Sequence, residues 1–189
     1  MNFKSNINDY IQTEIDVLKS LDCEAINEIM NEIISSQERG NTIYICGNGG
    51  SAATASHYCC DFNKGVSGNH KKNTNFICLS DNIPTITAIA NDISYDEIFS
   101  YQLNNRLKPG DLVFVISGSG NSKNIVRAMQ KAKEKGNKII GLCGYDGGAV
   151  KKMSDICLHV KINNMQIVED IHMLIDHCMM SILYQAYNK

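Results

Sequence analysis

Apolar residues recur at helical spacing through the first forty positions: Ile7, Ile11, Leu18 and Leu21, then Ile26, Ile29, Met30, Ile33 and Ile34. Asp22, between the two runs, is placed to cap the second helix. A helical arm this apolar, standing ahead of the first strand, needs a cover, and packing against another copy of the chain is the economical way to supply one.

From Thr42 the pattern changes to short runs rich in branched residues, each followed by a Gly- or Ser-containing turn and then a helical stretch. That alternation predicts parallel βαβ units. The predicted strands are 42–46, 75–79, 111–116, 138–143 and 156–161, and the predicted helices 51–62, 83–90, 95–107, 122–135 and 165–187. The fold expected is a five-stranded, parallel, doubly wound α/β sheet of flavodoxin-like type over 41–189, preceded by the helical arm 1–40, all in a single domain. In such sheets ligands bind in a crevice at the carboxyl ends of the strands, so the loops there carry the function.

Composition narrows the partner. A chain of 189 residues with 43% hydrophobic residues can bury one core and is short for two. A net charge of -2, with both signs scattered, leaves no electrostatic footprint for nucleic acid or an anionic membrane, which favours a small molecule. Residues 1–10 lack the apolar core of an export signal, and no 18 uncharged apolar residues run together, so the expected location is the cytoplasm. Of the eight cysteines none stand in C-x-x-C spacing, and Cys46, Cys78, Cys143 and Cys157 fall in strand-like runs, as small core residues do in a reducing compartment. Cys59 and Cys60 are adjacent and point to different helix faces, which argues against a shared metal.

Two strand-to-helix loops can hold an anion. The first, Gly47-Asn48-Gly49-Gly50-Ser51-Ala52, lets backbone approach a ligand and opens a helix, although tight βα turns need glycine for steric reasons too. The second, Ser117-Gly118-Ser119-Gly120-Asn121-Ser122, offers three hydroxyls and backbone donors at a helix N-terminus, with Ser122 also a possible cap. Both follow strands of one sheet, so their tips are expected to face one crevice, which favours a phosphate cradle at the serine loop over a flexible serine-glycine turn with one capping serine. Neither a P-loop nor a G-x-G-x-x-G fingerprint is present, which disfavours a nucleoside triphosphate or a dinucleotide.

Ionisable residues cluster beside these loops. His57 and Asp61 are four apart on the predicted helix, so they share a face and can share a metal or a proton. On the last helix Glu169, His172 and His177 sit among Ile167, Ile171, Leu174, Ile175 and Met179, where ionisable groups need partners. Glu169 and His177, eight apart, point the same way to within about 80°. His172 competes for either role and also reads as an ordinary packed helix histidine. A His-x-x-x-Asp alone is more often a solvated or capped pair; the glycine loop ahead of it and the second pair shift the reading to function.

Three segments carry a family resemblance: Ile45 to Ala53, Thr87 to Asp92 and Ile116 to Ser122. They resemble the sugar isomerase (SIS) domain, most of all its phosphoheptose isomerase branch, and the similarity runs over nearly the whole chain. In that family a His-x-x-x-Glu on the first core helix, with a Gln and a His eight apart on the last, holds zinc and transfers protons. The matching positions are His57, Asp61, Glu169 and His177, with Asp61 one methylene shorter than the family's glutamate and Glu169 adding a charge where the family has glutamine. The resemblance implies a divalent metal, zinc, on those four residues. It implies Asn48, Gly49, Gly50, Ser51, Asp61, Asn91, Asp92 and Glu169 around the sugar, Ser117, Gly118, Ser119 and Ser122 on the phosphate, Asp61 as base and His177 as general acid/base. The implied reaction is aldose-ketose isomerisation through an enediol, taking sedoheptulose 7-phosphate to D-glycero-D-manno-heptose 7-phosphate for bacterial surface heptose. The implied assembly is a homotetramer with active sites between subunits. Where the family often carries a phosphate-contacting arginine, the polar segment 63–73 offers Lys64, His70, Lys71 and Lys72, and lysine gives a point charge rather than a bidentate fork. The competing reading is a non-catalytic SIS-domain regulator that binds a phosphosugar or a protein, which would not need the His/Asp/Glu/His set.

Overall fold

The computed structural model describes residues 1–67 and 73–187. Helices α1 (Lys4–Lys19) and α2 (Cys23–Arg39) precede the sheet. Asp22 caps α2 as its sequence position predicts, accepting from the backbone N–H groups of Glu24 and Ala25 at 3.0 and 3.2 Å. Its other end closes on Gly40 in the left-handed conformation, φ 71°.

The sheet holds β1 (Ile43–Cys46), β2 (Phe76–Cys78), β3 (Leu112–Ser117), β4 (Lys138–Cys143) and β5 (Ile156–His159) in the order β2-β1-β3-β4-β5, every pair parallel. β1 and β3 are buried along their whole length, as central strands covered on both faces must be. Their side chains alternate between two cores. Ile43, Ile45, Leu112, Phe114, Ile116, Ile140 and Leu142 face α2, α3 (Gly50–Cys60) and α8 (Met165–Tyr187). Tyr44, Cys46, Val113, Val115, Ile139 and Cys143 face α4 (Ile83–Asp92), α5 (Ser100–Arg106), α6 (Lys123–Glu134) and α7 (Gly148–Met153).

The two halves of the N-terminal arm behave differently. α2 sinks Ile26, Ile29 and Ile33 into the first core, whereas α1 has no buried residue and exposes Ile7, Ile11 and Ile15, with Phe3 exposed just ahead of it. Tyr10 ties α1 to α8 by donating its hydroxyl to Asp170 at 2.5 Å.

Three local features depart from the periodic pattern. The expected helix 95–107 divides into a 3-10 turn at Tyr95–Glu97 and α5, because Ile98 and Phe99 both turn into the second core and Ser94 caps the turn at Asp96. α7 is only six residues long, too short to register as a periodicity. α3 does not stop at residue 62 but continues as a π-helical turn over Asp61–Val66. All eight cysteines are free thiols, with Cys46 and Cys143 buried. No helix among the described residues is long and apolar enough to cross a membrane.

Candidate active site

The strand order reverses between β1 and β3. The helix after β1 packs on one face of the sheet and the helix after β3 on the other, which opens a crevice at their carboxyl ends. Cys46 is in register with Val115, so the Gly47 and Ser117 loops emerge side by side. A cavity of about 170 Å³ lies between them, lined by Asn48, Ser51, Ser117, Ser119, Ser122 and Glu169 among others.

Ser122 occupies the N-cap position of α6 yet makes no side-chain cap bond. Ser122 lines the cavity instead, at the start of a 12-residue helix; one first-turn N–H, that of Ile125, donates to the Asn124 side chain at 2.9 Å, and the helix end as a whole still suits an anion. The loop is held from behind: the Gly120 carbonyl accepts from Val150 and the Gly118 carbonyl from Gly144, at 3.0 and 2.9 Å. A wider cavity of about 630 Å³, lined by Ser119, Asn121, Tyr145 and Met165 with others, adjoins it.

The second feature lies along the contact between α3 and α8. His57 Nε2 stands 3.0 Å from His177 Nε2 and 3.6 Å from the Asp61 carboxylate. Ligand atoms of His57, Asp61, Asp176 and His177 all lie within 4.8 Å of one another. Two imidazole nitrogens bound to one tetrahedral ion at about 2.0–2.1 Å would be about 3.3 Å apart, close to the separation seen. Two imidazoles and two carboxylates suit a divalent cation, and the buried Asp176 carboxylate has no hydrogen-bond partner in either oxygen, so the donor set fits a metal. Burial, then the negative charge of Asp61, pushes the Asp176 carboxyl up to about 8.

A family model described as the SIS domain matches residues 8–144. The chain is 37% identical over 179 residues to a phosphoheptose isomerase of Shewanella oneidensis, an alignment covering 93% of this chain and 90% of that one. The chain belongs to the SIS-domain family, in its phosphoheptose isomerase branch. Among solved structures, a phosphoheptose isomerase from Francisella tularensis matches with a TM-score of 0.86 at 32% identity, over 98% of this chain and 100% of that one. Phosphoheptose isomerase GmhA from Neisseria gonorrhoeae matches with a TM-score of 0.87 at 28% identity, over 96% and 98%.

Within this SIS domain the residues expected to act together do not all meet. Glu169, expected beside His57 and His177, lies instead against the start of α3: its carboxylate oxygens are 2.6 Å from where a Cβ on Gly50 would stand. Glu169 precedes His177 by about 12 Å of helix rise, so each meets α3 at a different level. Asn91 and Asp92, expected on the sugar, are exposed at the end of α4, bonded to each other at 2.8 Å, and line neither cavity. Lys64 is exposed on the π-helical turn, and His70, Lys71 and Lys72 lie outside the described residues. His172 is fully buried and belongs to no metal-capable group among the described residues. Burial lowers its pKa to about 4, against the opposing pull of a weak hydrogen bond with the Cys143 backbone.

Asn124, Tyr95 and Asp176 were not singled out in the sequence, and the first two hold the expected site residue Asn48 in place. Asn48 and Asn124 exchange reciprocal amide hydrogen bonds at 2.9 Å, and Tyr95 donates to the Asn48 carbonyl oxygen at 3.0 Å, bracing the glycine loop against α6. Asp176 was visible only as an acid in the middle of an apolar stripe.

Proposed function

We propose that this isomerase converts sedoheptulose 7-phosphate into D-glycero-D-manno-heptose 7-phosphate through an enediol. The observation carrying the reading is that the hydroxyl-lined cavity and the His57, Asp61, His177 group lie along one stretch of α8, from Glu169 to His177. That stretch rises about 12 Å. A seven-carbon chain with a terminal phosphate extends to roughly 10 Å at about 1.25 Å advance per single bond, so a phosphate at the serines leaves C1 and C2 beside the imidazoles. A triose phosphate would fall well short.

In this mechanism Ser117, Ser119 and Ser122, the backbone at Gly118 and the first turn of α6 hold the phosphate. Asn48, Gly49, Gly50, Ser51 and Glu169 hold sugar hydroxyls. Binding energy from the phosphate, remote from the reacting carbons, then positions them. Asp61 takes the proton from C1 of the ketose, forming the enediol, and returns a proton to C2; His177 moves the proton between O1 and O2. A divalent ion on the histidine and carboxylate group, zinc in this proposal, supplies polarisation of the carbonyl oxygen when bound.

The exposed apolar face of α1 supports assembly into a homotetramer with active sites between subunits, and the arm 1–40 and core 41–189 are read as one domain. The proposed location is the cytoplasm and the proposed use of the product is bacterial surface heptose. Incubating the purified protein with sedoheptulose 7-phosphate and following it by NMR should show new aldose anomeric signals. Absence of product across a panel of ketose and aldose phosphates would refute the enzyme's proposed chemistry and favour a phosphosugar-binding regulator.

A further inference from the structure

We infer that Asp176, rather than Glu169, completes a divalent-cation site with His57, Asp61 and His177, and that Glu169 is left to the substrate cavity. The inference deepens the proposed function, resting on it for what the ion does but not for the ion's binding.

Two residues come from each helix. His57 and Asp61 end α3 and begin the π-helical turn, and Asp176 and His177 are consecutive on α8, on the buried and exposed sides of its contact with α3. The ligand atom of each is within 4.8 Å of all the others, so one ion can reach the four after only small side-chain movements. Glu169 is not in this group among the described residues. Its carboxylate packs on Gly50 and lines the cavity with Ser117, Ser119 and Ser122.

Asp176 needs an explanation of its own. It is 0% exposed, it lies in the same stretch of α8 as the core residues Ile171, Ile175 and Met179, and both of its carboxylate oxygens lack a partner. An unpaired carboxyl in such a place is costly, and it also faces a second acid, Asp61. The Tyr58 hydroxyl, which lies near it, brings no positive charge and is itself buried without a partner. A cation at the convergence of the four ligands satisfies Asp176, separates it from Asp61 and leaves a neutral centre, since two carboxylates balance two positive charges.

The test is a titration of the metal-stripped full-length protein with Co²⁺, followed by its visible d–d absorption and by thermal unfolding. Wild type should bind one Co²⁺ per chain and melt higher with it. Asp176→Asn should fold, melt without metal at least as high as wild type, and lose Co²⁺ affinity by at least roughly 100-fold, beyond the effect of disturbing an outer-shell partner. Glu169→Gln should bind Co²⁺ within about 3-fold of wild type and melt higher with it. Wild-type affinity in Asp176→Asn, a loss in Glu169→Gln as large as in Asp176→Asn, or no Co²⁺ binding by wild type would each overturn the inference. The titration registers no turnover, so a wild-type protein that isomerises sugar phosphate but fails these criteria would leave the proposed reaction standing.

Discussion

Replacing Gly120 with alanine tests whether the serine loop is held by backbone contact. Gly120 has φ 65°, and a Cβ there would stand 2.3 Å from the Gly147 carbonyl oxygen. That is a backbone atom, and it must retreat by about 0.7 Å merely to reach the 3.0 Å below which real contacts essentially do not occur. The same oxygen accepts from the Lys151 N–H at 3.0 Å in the first turn of α7, so the retreat weakens a helix-starting bond worth about 1 kcal/mol. The left-handed conformation adds about 1–2 kcal/mol for any residue with a Cβ. Together these give about 2–3 kcal/mol, a fall in Tm of about 4–12 °C for a chain of this size. Gly136→Ala is the control: φ is 72° there too, but nothing lies within 4 Å of the added methyl, so only the dihedral cost remains. Thermal unfolding at matched protomer concentration, with and without sugar phosphate, reads both effects. Gly120→Ala should be the less stable variant and should lose most of the ligand-induced rise in Tm, which Gly136→Ala keeps. Equal destabilisation of the two, or an undiminished ligand response in Gly120→Ala, would refute the idea that this contact shapes the phosphate loop.

Asp61→Ala and His177→Ala should each lower turnover of sedoheptulose 7-phosphate by about 100-fold or more while circular dichroism is unchanged, and full activity in either removes that residue from proton transfer. The depressed pKa of buried His172 means that the unfolded chain binds its proton first as pH falls, so the stability its neutral form contributes is complete above pH 6.5 and drains away towards pH 4. The loss should be about 3 kcal/mol, and urea midpoints measured across that range should fall less steeply for His172→Gln; parallel curves would show that another group governs acid unfolding. Charging the bare face of α1 with Ile7→Glu and Ile11→Glu should split the assembly while each chain stays folded, because both side chains are about half exposed in the single chain. Light scattering that returns the wild-type mass for the double variant would remove α1 from the interface.

Much of this molecule was legible in one dimension. Parallel strands buried on both faces read as unbroken apolar runs, so β1, β3 and β4 were visible with bounds within a residue of those found. The cap at Asp22 and the pairing of His57 with Asp61 follow from the helical repeat, which acts within one segment. Whether Glu169 or Asp176 would stand opposite His57 was not legible, because periodicity reports the direction a side chain leaves its own helix and not the level at which two helices meet. Packing α3 beside α8 set that level, matching Gly50 to Glu169 and His57 to His177. The Asn48–Asn124 brace was likewise not legible, because it joins a loop and a helix 76 residues apart. Sequence determined which residues had chemistry to offer and which strand ends would present them; contact between segments over 100 residues apart decided which of them share a site.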